Sequence, residues 1–214
     1  MNHQNVQAFG TFMKIGDRIH RHETYLQWGE GTNSLGACLL LNPGSAKLTK
    51  QLDEVLHTTG QATGPIHAND PTMKQLIRIV ERIHTDQKPL SGRFHLYNLF
   101  QLRHGNNVES IRHFEELSRL GIYDSSESFA SVEELKMHPW LLLGWGVENR
   151  RSWLHLEQAK QEWMKRVQES GVPFFGKEKQ GTTDYYHPSP QKVADRNVRF
   201  EELVELHQTK FRKG

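Results

Sequence analysis

The chain has 214 residues, long enough to bury a sizeable core in one domain without staples. Its one cysteine, Cys38, excludes a disulfide, a cysteine-ligated zinc and an iron–sulfur cluster within one chain. Lys and Arg number 27 against 25 Asp and Glu, a formal charge of +2 that shows no global basic excess for nucleic acid. With a mean hydropathy of -0.71, no apolar run approaches the roughly 20 residues of a membrane helix.

The first ten residues are polar and lack the apolar core of a signal peptide, which predicts a cytoplasmic protein. Residues 1–35 mix glycine, histidine and aromatics, with a strand-like Thr11 to Ile19 and a Tyr25-Leu26-Gln27-Trp28 segment. They read as a hairpin or extended lead-in whose aromatics cover one sheet edge. His20 and His22 share a face only in a strand, and they read as surface histidines rather than a metal site.

From Leu35 the pattern changes. Ala37 to Leu41 is apolar without interruption, as in a strand buried on both faces, and Asn42-Pro43-Gly44-Ser45 stops it. Leu48, Leu52, Val55 and Leu56 have helical spacing. Residues 58–69 lack periodicity and predict a mobile loop. Asp70-Pro71-Thr72 predicts a helix start, with Asp70 as N-cap and Pro71 in the first turn. Met73, Leu76, Ile77, Val80 and Ile83 would be its apolar stripe.

Arg93 to Leu99 reads as a second central strand, and Val108 to Leu120 as a helix that Gly121 ends. Ser131-Val132-Glu133-Glu134 is a capping box opening a short helix. Pro139 to Gly146 is the third strand. Glu148 to Gly171 is a long amphipathic helix with Trp153, Leu156, Trp163 and Val167 inward. Val172 to Phe175 is the fourth strand, and the last helix covers Ala194 to Lys210.

Strands alternating with helices predict an α/β fold: a three-layer αβα sandwich around a central, mostly parallel four-stranded sheet. The expected layout is one domain over 1–214, with 1–35 as lead-in and 36–210 as core. Right-handed crossovers bring the C-terminal ends of parallel strands to one edge, where open α/β sheets bind ligands. Asn42, Asn98, Trp145 and His187 all fall at or just beyond such an end.

The set contains no nucleophile elbow, carboxylate pair or glycine-rich phosphate loop. The planar carboxamide of Asn98 suits the edge of a nucleobase. His187 suits an oxyanion on a leaving group, and Asn42 suits a water. The Gly44 and Ser45 amides, at the start of an expected helix, suit a phosphate. Each also has a structural reading: Asn42 and Asn98 as strand caps, His187 as a turn histidine bonded to backbone.

Leu39-Leu40-Leu41-Asn42-Pro43-Gly44 resembles the first motif of the uracil-DNA glycosylase superfamily, closest to its mismatch-specific branch. Phe94 to Leu99 with Arg103 resembles the family's second strand, and Trp140 to Gly146 its Leu-Leu-Trp-Gly strand. His187-Pro188-Ser189-Pro190 is similar to its His-Pro-Ser-Pro motif. The chain also resembles an uncharacterised bacterial domain family through Tyr25, Asn42, Asp70 to Thr72, Asn98 to Phe100, Trp145-Gly146 and His187-Pro188.

The first resemblance implies an N-glycosidic hydrolase that removes a damaged or modified base from single-stranded or mismatched DNA, without metal or organic cofactor. In it Asn42 positions water, Asn98 reads the base, His187 stabilises the leaving anion and Ser189 holds a phosphate; Trp145, Tyr185 and Tyr186 are the candidates to stack on the base in place of the family's aromatic. The chain departs from the family at three points. Asn42 stands where the most active members have Asp, no Phe, Tyr or Trp occurs between Ser45 and Asp70, and Gln191 takes the place of a Leu wedge. These departures suit a non-catalytic module binding a nucleobase, nucleotide or protein partner. The near-neutral charge suits hydrolysis of a small nucleoside.

Overall fold

The computed structural model describes residues 6–87 and 89–211. Its centre is one seven-stranded mixed sheet with six α-helices among the described residues. The strands are β1 (Gln7–Ile15), β2 (Arg18–Trp28), β3 (Ser34–Leu40), β4 (Gln61–Ile66), β5 (Gly92–Asn98), β6 (Leu141–Leu143) and β7 (Phe174–Phe175). The helices are α1 (Lys50–Thr59), α2 (Pro71–Ile83), α3 (Asn107–Arg119), α4 (Val132–Lys136), α5 (Leu154–Ser170) and α6 (Val193–Phe211).

Across the sheet the order is β4-β1-β2-β5-β3-β6-β7. The four strands read from sequence, β5, β3, β6 and β7, lie side by side and parallel. A four-stranded sheet is nevertheless too small by three strands. β2 pairs antiparallel with the outer side of β5, from Tyr25 opposite His95 to Trp28 opposite Gly92. The N-terminal hairpin therefore extends the sheet by backbone hydrogen bonds instead of laying aromatics over its edge. Thr11 to Ile19 is not one strand, because Gly16 adopts a left-handed φ of 61° and turns the chain between β1 and β2. Residues expected to be a mobile loop contain β4, which pairs with β1 from Ala8 opposite Ile66 to Met13 opposite Gln61. Pro65 is tolerated there because β4 is an edge strand.

Side-chain alternation explains the three layers. In β3, Cys38 and Leu40 enter a core shared with Leu56 of α1, Leu76 of α2 and Leu203 of α6. Ala37, Leu39 and Leu41 enter the opposite core with Phe114 of α3, Leu135 of α4 and Trp163 of α5. A strand with helices on both faces has no polar side, hence its unbroken apolar run. Two helix caps form as expected: Asp70 accepts from the Met73 N–H at 3.0 Å, and Ser131 accepts from the Glu134 N–H at 3.0 Å. On α2 the buried stripe uses Ile79, with Ile77 only half-buried. α5 begins six residues later than expected, at Leu154, so 148–153 remain loop. Among the described residues no helix is long and apolar enough to cross a membrane.

Candidate functional site

A cavity of about 710 Å³ opens beyond the C-terminal ends of the parallel strands, within the size range of small-molecule sites. Its wall combines the end of β3, the start of α2, the loop after β6, the 186–191 turn and the first turns of α6. Asn42, Gly44, Ser45, Trp145, His187 and Ser189 all line it. Asn98 is not in this wall. It is 2 % exposed at the end of β5, on the α2 side of the sheet by alternation with Phe94 and Leu96. Neither its Nδ2 nor its Oδ1 has a partner among the described residues.

Local hydrogen bonds orient the two lead candidates. Asn42 Nδ2 donates to the His104 carbonyl at 2.9 Å, which leaves Oδ1 as the acceptor for a ligand or water. His187 Nδ1 lies 3.1 Å from the Ser189 N–H and 3.0 Å from the Ser189 carbonyl. One nitrogen serves only one of these at a time. Accepting from the N–H puts the ring proton on Nε2 and makes it a donor, and donating to the carbonyl makes Nε2 an acceptor. Burial pushes the His187 pKa below the ordinary histidine value. The Ser189 backbone bond and the Asp70 carboxylate offset this in part. At neutral pH the ring is uncharged in either form.

Ser189 Oγ is buried with no partner among the described residues, so it is available to a ligand. Trp145 is fixed to the wall: its Nε1–H donates to Asp184 at 3.0 Å, and Tyr185 packs edge-on at 5.1 Å. The same Asp184 oxygen accepts from buried Lys160 at 2.7 Å, and Lys160 also bonds Glu157 at 2.6 Å. Tyr186, the other aromatic in the wall, carries the Arg199 guanidinium over its ring at 4.6 Å. Gly44 and Ser45 do not start a helix, because α1 opens only at Lys50. They form a turn held by Arg103, which donates to the Ser45 and Ala46 carbonyls at 3.0 and 2.8 Å.

One wall residue has no counterpart in the sequence reading. Arg21 of β2 is 3 % exposed, borders the cavity, and has no partner for Nε or Nη1 among the described residues. Burial lowers its pKa to about 10, with the nearby Asp70 charge opposing that shift. The alternation Arg18-Ile19-His20-Arg21-His22-Glu23 gives no signal for an inward arginine. His20 and His22, by contrast, are a stacked pair 6.3 Å apart, with Tyr123 against His20 at 5.6 Å.

Comparison with protein-family models, curated sequences and solved structures finds no match for this chain. The fold and site define it only as an α/β protein with a cavity of mixed polar and apolar lining at the C-terminal edge of the parallel strands.

Proposed function

We propose that the chain is an N-glycosidic hydrolase of the uracil-DNA glycosylase type, removing a damaged or modified base from single-stranded or mismatched DNA. The observation that carries this reading is that Asn42 and His187, from two distant segments, border one cavity with complementary hydrogen-bonding atoms. Asn42 Oδ1 accepts from the attacking water and holds it. His187, in the form with its proton on Nε2, donates to the departing base anion, which an uncharged donor in a recessed site stabilises without a prior protonation. Ser189 Oγ holds a phosphate oxygen; Asn98, unpartnered among the described residues but outside the cavity wall, is given no part in reading the base.

A labelled-oligonucleotide assay with alkaline strand cleavage tests this. The substrates are uracil, mismatched thymine, hypoxanthine and alkylated bases, each single- and double-stranded. Cleavage should occur on at least one and fall by about 100-fold or more in His187→Ala and Asn42→Ala. No cleavage of any substrate at high enzyme concentration would sink the DNA reading.

One observation favours a second reading. A flipped base is normally held by stacking, and here the Tyr186 ring is covered by Arg199 while Trp145 is tied to Asp184 and packed against Tyr185. That arrangement suits a binding module, or a hydrolase for a small nucleoside or nucleotide. Stabilisation by free nucleosides or nucleotides without turnover of oligonucleotides would favour it.

A further inference from the structure

We propose that Arg21 anchors an anionic ligand, so that a phosphate or carboxylate group of the molecule entering the cavity docks on its guanidinium. The inference does not depend on which bond, if any, is broken. It concerns the charge of the occupant.

The cavity wall contains four cations, and three are spent. Lys160 is paired with Glu157 and Asp184. Arg196 donates to the Pro190 and Gln191 carbonyls; Arg199, although its Nε and Nη1 make no hydrogen bond among the described residues, has a counter-charge in Glu202 at 3.0 Å and lies over the Tyr186 ring. Arg21 alone makes neither an ion pair nor a side-chain hydrogen bond among the described residues, although it is the most buried of the three arginines. The nearest opposing charge, Asp70, uses Oδ1 to cap α2 and makes no ion pair with it.

A buried guanidinium with no ion pair is strongly destabilising, because it has surrendered most of its water and the charge of Asp70 offsets that loss only in part. A neutral ligand supplies hydrogen bonds but no counter-charge. An oxyanion supplies both, and the fork of Arg matches the two oxygens of a carboxylate or phosphate. The first turn of α2 contributes in the same sense. Pro71 and Thr72 border the cavity at the positive end of a thirteen-residue helix, whose field favours an anion beside Arg21. The occupant is thus expected to bring its own negative charge, as a nucleotide or carboxylated compound does and a nucleoside does not.

The test measures affinity in Tris chloride, by calorimetry and thermal shift, for inorganic phosphate, succinate, a nucleoside 5′-monophosphate and its parent nucleoside. The monophosphate should bind at least about tenfold more tightly than the nucleoside. In R21M that advantage should vanish, while the ligand-free Tm should equal or exceed that of the unsubstituted protein, since an uncompensated charge has been removed. A response to phosphate and monophosphate but not succinate confines the group to phosphate, and a response to all three extends it to carboxylates. Anion affinity unchanged in R21M, or a lower Tm without loss of affinity, overturns the proposal. A readout independent of R21M folding is the Arg21 Nε–H resonance, identified by its disappearance in R21K. It should shift on titration with the effective anion, and a resonance unmoved at saturation overturns the proposal as well.

Discussion

The carbonyl oxygen of His104 dictates an amide rather than an acid at position 42. Asn42 satisfies it with an N–H at 2.9 Å, whereas an ionised Asp would face it oxygen to oxygen. Asn42→Asp should therefore destabilise the protein by about 1 kcal/mol at pH 7, the cost of losing a part-buried hydrogen bond and opposing two acceptors. The loss should shrink as the introduced carboxyl is protonated at acid pH, because a protonated acid can again donate. Urea denaturation at pH 7 and pH 4, normalised to the unsubstituted protein at each pH, measures this; equal stability at pH 7 would count against the assigned geometry. Asn42 was legible because Pro43 and Gly44 stop the apolar run it ends, and His187 and Ser189 because they stand in a proline-bounded turn after the last strand. Arg21 was not, since its burial results from β2 pairing with β1 and crossing residues 101–103, a contact no local pattern encodes. Asn98 shows the intermediate case: its place at a strand end was readable, but its position behind the cavity wall was not.

At the scale of elements, α2 couples the sheet to the site through a single carboxylate. Asp70 caps the helix by accepting from Met73 N–H, and it also sits in the field of Arg21 and His187. The two roles separate by substitution. Asp70→Ala should cost about 1 kcal/mol through the lost cap, whereas Asp70→Asn, an equally good cap, should leave stability nearly unchanged. Both remove the negative charge and should strengthen anion binding in the cavity to a similar degree. Chemical denaturation reads the first effect and phosphate titration the second. Equal destabilisation by Ala and Asn would exclude capping as the main contribution. Caps of this kind, Asp70 and Ser131 alike, depend on three or four neighbouring residues and were therefore legible. The start of α5 was not, because 148–153 can begin a helix locally but stay loop, with Glu148 at the cavity wall. β4 was missed for the converse reason: Gly64 and Pro65 discourage a strand in isolation, and pairing with β1 supplies what local propensity lacks.

At the scale of the whole molecule, the four parallel strands follow from their own sequences, but the three antiparallel strands exist only as partners of one another and of β5. That wider sheet and its helical layers enclose three histidines, of which the sequence reading placed His20 at the surface. His20 lies in β2 against Tyr123. His138 bridges Ser34 Oγ at 2.7 Å and Tyr97 at 2.8 Å. His207 of α6 packs against Trp140 and Phe175. Burial is the largest cause in lowering all three pKa values to about 4, assisted by charge on neighbouring His22, His95 and His84 respectively. Between the ordinary value of 6.5 and about 4, the unfolded chain binds protons at these positions and the folded protein does not. Stability is therefore complete above the unfolded value, falls with pH through this window, and levels off for these groups below the folded value. Unfolding near pH 5 should take up roughly two to three protons from these histidines alone, visible as a steep fall in denaturation free energy with decreasing pH. His138→Gln should lower that uptake by about one proton while retaining donor and acceptor atoms for Ser34 and Tyr97. A pH slope identical in His138→Gln and the unsubstituted protein would mean that His138 titrates alike in both states, which its enclosed position between β3, β5 and α4 argues against.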